Sequence, residues 1–314
     1  MSTSSSSNSG WKSAVNKVKK IRNKVDKIVH NYPKLPKHSL EEENLPFQIG
    51  SKVSVKDYNT FLDRNESTGY KFHWDSGNVY IVDMANPDHE GAVRLLQKFF
   101  EVPNGGVIID PPIYVGGQEY HYDPTVIGKK LAPDIAIYPD VAYVPNPTLP
   151  HPGPPPSDVK GNPHARIFCE VASSQSVALW GEKCKNWMHE QYVRCVLGIK
   201  LHDIRKGGHH RSMTAKLWTR QRPAPPAVSA TVPTMPGIFV QEWDFGTLQY
   251  NSSQATGCTG ANIPAYQISI PVSDVFWDPP IVTETPNTTG YSVTVPNTVV
   301  GNNFIIDLYR IQQM

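Results

Sequence analysis

Arg166-Ile-Phe-Cys-Glu-Val-Ala172, followed by Ser173-Ser-Gln-Ser176 and Val177-Ala-Leu-Trp-Gly-Glu-Lys-Cys-Lys-Asn-Trp187, carries most of the architectural information in this chain. The stretch 166–172 has the continuous apolar character of a central strand covered on both faces. The spacing after it predicts a helix over 177–195, and residues 196–204 read as a further strand. Glu170 interrupts the apolar run, and an ionised carboxylate there is costly unless it is paired or bound to a cation. Asp134 opens Ile135-Ala-Ile-Tyr138 in the same way, within a strand expected over 133–144. Two carboxylates on neighbouring strands would offer Mg²⁺ (or Mn²⁺) an oxygen-rich site completed by waters and phosphate. The plain alternative is that each carboxylate pairs with a local cation, Arg166 being one candidate for Glu170.

Helical phase adds a third group. Trp180, Lys183 and Trp187 recur at three- and four-residue steps and share a face, which the tryptophans mark as the buried one. Lys183 therefore points toward the sheet, whereas Lys185 lies roughly 200° around the helix. A lysine on a packed face needs an anionic partner, and the Glu170 strand end is the nearest. Two carboxylates and a lysine around a metal suit phosphodiester hydrolysis: the metal acidifies a bound water and neutralises phosphate charge, and the lysine orients the hydroxide or stabilises the transition state. The serines of 172–176 also fit a helix cap.

Upstream, residues 53–65 open the body with a short helix over 55–65. Tyr70–Met84 alternates and turns at Asp75-Ser76-Gly77, a hairpin signal. Pro87-Asp88 opens a helix with Val93, Leu95, Leu96, Phe99 and Phe100 on its apolar side, closing at Asn104-Gly105-Gly106, and 107–110 reads as a brief strand. The proline-rich stretch 145–163 is an excursion loop.

The 314 residues, 39% hydrophobic and 10% aromatic, suffice for one large domain or two smaller ones. The net charge of +2 conceals a basic start. Residues 1–30 hold seven Lys/Arg against Asp26, which sums to +6, so the remainder sums to −4. A Ser-rich beginning is followed by Trp11, Val15, Val18, Ile21, Val25 and Ile28 at helical steps, an amphipathic basic helix that could dock on the body, pair with a copy of itself as a homodimer, or serve as a nuclear signal. Residues 1–50 are thus a disordered start, a helix and a linker. The four cysteines have no metal-ligand spacing, and there is no export signal or membrane-spanning run. An intracellular protein, nuclear or cytoplasmic, is the expectation. Residues 223–314 hold one base, Arg310, and six acids, and read as a β-rich, Pro-rich extension, either packed on a domain over 51–222 or forming a small domain of its own.

Between Gln191 and Arg222 eight Lys/Arg stand against Asp203. Among them Arg205, Lys206, Arg211 and Lys216 are candidates for contacts to a nucleic-acid backbone, with an ordinary solvated surface as the alternative.

Together these residues resemble a family. Ala132-Pro-Asp-Ile-Ala-Ile137, Phe168-Cys-Glu-Val-Ala-Ser-Ser174, Gly181-Glu-Lys183, Tyr192 and Val196-Leu-Gly-Ile, with Tyr70-Lys-Phe, Gly77-Asn-Val-Tyr-Ile81 and His89-Glu90 upstream, are similar to the Uma-two restriction endonuclease family of the PD-(D/E)XK nuclease superfamily. The likeness spans roughly residues 53–204. It implies an α/β fold with a restriction-endonuclease-like mixed central sheet flanked by helices. It also implies metal binding by Asp134 and Glu170 with the Val171 carbonyl, a lysine supplied from the helix as Lys183 in place of Ala172, and a supporting Gln175. Glu90, His89 and His73 are accessory candidates. His73 stands where the family has a Glu, and that departure bears on metal affinity. The expectation is a metal-dependent endonuclease acting on nucleic acid, DNA in particular. The alternatives are a nuclease-fold module that binds nucleic acid or a protein without turnover, and an assembly protein.

Overall fold

Strand alternation sorts the core into two layers. In a computed structural model describing residues 32–66, 68–146, 157–205, 207–208, 210–220, 237–282 and 285–314, the chain forms a mixed α/β domain on a six-stranded sheet. The expected Ser-rich start and basic helix lie outside the described residues. The N-terminal part comprises β1 (Phe47–Gly50), α1 (Val55–Arg64), the hairpin β2 (Tyr70–Asp75) and β3 (Asn78–Met84), and α2 (Pro87–Glu101). Next come β4 (Ile113–Gly116), the two-residue strands β5 (His121–Tyr122) and β6 (Lys130–Leu131), β7 (Ile135–Pro139), β8 (Ile167–Ala172), α3 (Val177–Trp187) and β9 (Cys195–Leu201). The remainder is β10 (Ser212–Arg220), β11 (Ile238–Gly246), β12 (Gln267–Pro271), β13 (Ile281–Val282), β14 (Thr285–Pro286), β15 (Asn303–Asp307) and the short α4 (Leu308–Gln312).

The sheet order is β11-β10-β9-β8-β7-β4, with β8 and β9 parallel and every other pairing antiparallel. The one parallel step is the one spanned by α3, as a crossover connection requires. Ile135, Ile137, Ile167, Cys169 and Val171 face a core that includes Ala92, Leu96 and Phe100 of α2. Ala136, Tyr138, Phe168 and Ala172 face Trp180, Cys184 and Trp187 of α3. Glu170 belongs by alternation to this α3 side. Gly198 on β9 makes the helix contact possible: a Cβ there would lie 2.6 Å from Cζ2 of Trp180.

Strands β1, β3 and β2 form a separate three-stranded sheet that packs with α1. Its hairpin turns through positive φ at both Ser76 (49°) and Gly77 (88°), the conformation a two-residue β-turn demands.

Several expectations are corrected. Residues 107–110 are not a strand: Ile108 and Ile109 are 89% and 81% exposed, and the strand is β4, a few residues later. The helix expected over 177–195 ends at Trp187, and β1 lies inside the expected linker. Residues on the two sides of position 222 share one sheet. Strand β11 pairs along the whole of β10, from Ser212 opposite Gly246 to Arg220 opposite Ile238. Trp243, Phe245, Ile268, Ile270, Phe304 and Ile306 enter the same core as α2. The C-terminal part is therefore a structural layer of the domain. Among the described residues, no helix is long and apolar enough to cross a membrane.

Candidate active site

Glu170 is placed by its strand and answered by its helix. Ser176 caps α3, its side chain accepting from the Leu179 amide, and so fixes where the helix starts. One turn in, the Trp180 indole donates to the Glu170 carbonyl at 3.3 Å. A turn further, the Lys183 ammonium lies 2.7 Å from Glu170 Oε2 and 2.9 Å from the Ala132 carbonyl. Next, the Trp187 indole donates to Glu170 Oε1 at 2.6 Å. Both carboxylate oxygens are thus engaged from α3, and the predicted helical face is the one observed. Arg166 is not the partner of Glu170. It is buried and donates to the carbonyls of Trp277 and His164 and to Asp278.

Asp134 stands just before β7 and is 2% exposed. Its Oδ2 accepts from the Val171 amide at 2.7 Å, next to Glu170 in the chain, and its Oδ1 lies 2.6 Å from the ammonium of Lys71. Lys71 also contacts the Val171 carbonyl at 3.1 Å and His89 Nε2 at 2.6 Å. It sits at a register shift in β2 beside Phe72, the kind of irregularity that re-aims a side chain.

His89 is held by helix capping. Asn86 caps α2 by accepting from the His89 amide, Pro87 occupies the first turn, and the Asn86 amide group reaches Ser173 Oγ. The His89 ring is fully buried, 3.1 Å from the Val171 carbonyl and 3.5 Å from Asp134 Oδ2. Its Nε2 lies 2.6 Å from the Lys71 ammonium, and Nδ1 faces Glu90 Oε1 at 3.1 Å. Burial works against the charged ring, but the hydrogen bond to Asp134 outweighs it and the His89 pKa is raised. Buried Asp83 accepts from Ser173 N, Ser173 Oγ and Ser174 N and locks the segment between β8 and α3 to the hairpin.

These contacts perturb the acids in opposite directions. Burial works to raise both. At Asp134 the charge of Lys71 and the hydrogen bond and charge of His89 overcome it and hold the carboxyl well below the ordinary range. At Glu170 burial prevails over Lys183, and the Asp134 charge adds to it, so its pKa is raised. Burial works against the charged form of Lys183, yet the charges of Glu170 and Asp134 raise its pKa, keeping it an ammonium. Lys71, Asp134, Lys183 and Lys130 line one pocket with the rings of Tyr70 and Tyr120. Glu170 is behind Lys183, at the back of this wall.

The remaining expected residues divide. His73 lines a neighbouring pocket with Asp123, Lys129, His189 and the same Lys183, and burial together with the Lys129 charge lowers its pKa. Glu90 is largely exposed and meets the site only through His89. Gln175 is buried but makes no hydrogen bond to Asp134, Glu170 or Lys183.

Among the described residues, the cations of the basic ribbon are engaged within the protein. Arg205 donates to the Gln249 carbonyl, Arg211 to the His202 carbonyl and Asp88, and Lys216 pairs with Glu242 at 2.9 Å. Arg194 and Lys200 are buried, and Lys206 lies outside the described residues. Sequence reading missed Lys71 altogether.

Among the described residues, no group of three His, Cys, Asp or Glu side chains is placed to hold a metal. A cation position does exist at the Lys71 ammonium, made of one carboxylate oxygen, one backbone carbonyl and one imidazole nitrogen. That donor set suits Mg²⁺ or Mn²⁺ only with solvent or substrate oxygens added.

No family profile matches the chain, and no curated protein matches it. Among solved structures it is similar to a DUF820 protein from Anabaena variabilis ATCC 29413 described as a "putative nuclease". The identity is 13% and the TM-score 0.34, over 58% of this chain and 90% of that one. At that TM-score the likeness assigns neither fold family nor chemistry.

Proposed function

We propose that the chain is a nuclease-like hydrolase of restriction-endonuclease-like architecture, cleaving phosphodiester bonds of nucleic acid, DNA in particular. The observation that carries this reading is the Lys183 ammonium, held at 2.7 Å by buried Glu170 in the wall of a pocket shared with Asp134 and two further lysines. Lys71, Lys130 and Lys183 line that pocket, each paired with a carboxylate (Asp134, Asp63 and Glu170), and in this reading Lys183 stabilises charge that develops on phosphodiester oxygens. Glu170 fixes that ammonium and keeps it charged. Asp134 and the Val171 carbonyl are the residues that would hold Mg²⁺ or Mn²⁺, which when bound neutralises phosphate charge and acidifies water.

Wild-type protein is expected to cleave plasmid DNA with Mg²⁺ or Mn²⁺, and Asp134→Asn or Lys183→Met to lose about 10²–10³-fold in rate, the range for removing one charge-stabilising group. Equal cleavage by folded variants would overturn the assignment. A second reading, a nuclease-fold module without turnover, is favoured by one feature: all four oxygens of Asp134 and Glu170 already accept from protein donors or contact protein cations. It predicts DNA binding without cleavage in either metal.

A further inference from the structure

We infer that Lys71 is a tethered cation occupying the divalent-ion position, and that Mg²⁺ or Mn²⁺ enters by displacing it. This rests on the phosphodiesterase reading of the site. Three elements place potential ligand atoms around one point: Asp134 Oδ1 at 2.6 Å, His89 Nε2 at 2.6 Å and the Val171 carbonyl at 3.1 Å from Lys71 Nζ. Glu170 does not reach that point, because Trp187 and Lys183 hold both its oxygens. The ion position is thus defined by Asp134, His89 and Val171, not by a bridge between the two carboxylates.

His89 is set up as a ligand. Its Nδ1 faces the Glu90 carboxylate, the outer-shell arrangement that turns the other ring nitrogen toward a cation. An ammonium and a divalent ion cannot share the position, since they would repel at contact distance in a poorly solvated wall.

Lys71 is built to leave. Its β2 strand belongs to the small three-stranded sheet, whereas Val171 lies in the main one and Asp134 immediately precedes its strand β7. Its side chain is 17% exposed on the shared pocket, and its stem is a flexible four-carbon chain. Retracting the ammonium into the pocket needs no movement of the main sheet. There it lines the pocket with Lys183, held by Glu170, and Lys130, held by Asp63.

Mn²⁺ binding to the full-length chain, read as free Mn²⁺ by electron paramagnetic resonance, tests this directly. Lys71→Met and Lys71→Gln are each expected to bind Mn²⁺ at least about tenfold tighter than wild type. Added Mn²⁺ should raise their melting temperatures more than that of wild type. Asp134→Asn on either background should abolish the gain. Lys71→Gln, which keeps a hydrogen-bond donor toward Asp134, serves if Lys71→Met does not fold. Wild type and both variants binding with equal affinity overturns the displacement and leaves the phosphodiesterase reading intact. No Mn²⁺ binding by any of the three overturns both the displacement and the metal-dependent form of that reading.

Discussion

Replacing Lys183 by Met, Glu170 by Gln, and both together forms a cycle that measures whether this pair acts as a unit. The two groups are 2.7 Å apart, with side chains 19% and 3% exposed. Removing one partner of a buried ion pair costs about 3–5 kcal/mol, because the other charge is left in a poorly solvated place. Lys183→Met leaves Glu170 with its Trp187 hydrogen bond, which places this variant near the low end, at about 3 kcal/mol. Glu170→Gln leaves Lys183 with the Ala132 carbonyl and a partly solvated ammonium, at about 2 kcal/mol. The double variant carries no buried charge at the pair. It should be destabilised by about 3 kcal/mol rather than the sum of about 5, giving a coupling of about 2 kcal/mol.

Urea unfolding followed by circular dichroism at neutral pH supplies all four free energies. Additivity within about 0.5 kcal/mol would sink the claim that Lys183 and Glu170 are energetically one element. The pH dependence supplies an independent check. Lys183 is the main influence lowering the Glu170 pKa, so its removal lets burial raise that pKa further. The native state of Lys183→Met then binds a proton more readily than the unfolded chain does. Its stability deficit relative to wild type must therefore shrink as the pH falls toward the raised Glu170 pKa.

Two further outcomes follow from the fold. Truncation after residue 222 removes β11, the partner along all of β10, together with the Arg166 contacts at Trp277 and Asp278. The fragment is expected to lack a cooperative unfolding transition by circular dichroism, and a cooperative, soluble fragment would establish residues 223–314 as an independent extension. Burial lowers the pKa of His121 to about 4, and its ring donates from Nδ1 to the Glu119 carbonyl and accepts from the Tyr138 hydroxyl. The unfolded chain protonates this group near pH 6.5 and the folded chain only near 4. Stability is therefore full above about pH 6.5, falls by about 3 kcal/mol toward pH 4, and changes no further through this residue. His121→Phe should flatten that part of the wild-type pH profile of urea stability, and an unchanged profile would count against a neutral buried His121.

Periodicity exposes what is local. The hairpin, α1, α2, the apolar strands β7 and β8, and the choice of Lys183 over Lys185 were legible because each depends on neighbours a few residues away. Strand β10 was not, because Lys216 and Arg220 made it look like a solvated basic ribbon. In the sheet, Met213, Ala215 and Leu217 face one core while Trp218 reaches the other, and Lys216 is neutralised by Glu242. Residues 107–110 misled in the opposite direction: Val107, Ile108 and Ile109 are apolar and largely exposed. Acidity and proline content left residues 223–314 open between a packed extension and a small domain, because a nine-residue antiparallel pairing needs register, which composition does not carry.

The site shows the same division between local and distant information. Glu170 and Lys183 are separated by one strand end, a four-residue link and about two helical turns, so secondary structure alone brings them together. Lys71 reaches Asp134 across 63 positions, from the small sheet to the residue preceding β7 of the main one, and neither alternation nor helical phase bears on that approach. A faint signal was available in Tyr70-Lys-Phe: the neighbours of Lys71 are aromatic, and a lysine in such a strand end needs an anion much as Glu170 needs a cation. The same reasoning applies to His89, which capping logic treats as a turn residue. Capping does explain its backbone, since its amide bonds Asn86. Its ring is explained only by the cluster of Asp134, Val171 and Lys71 that its Nε2 faces. A polar residue that local structure accounts for in its backbone but not in its side chain is therefore where a distant partner should be sought. His89 and Lys71 meet each other because each met that condition alone.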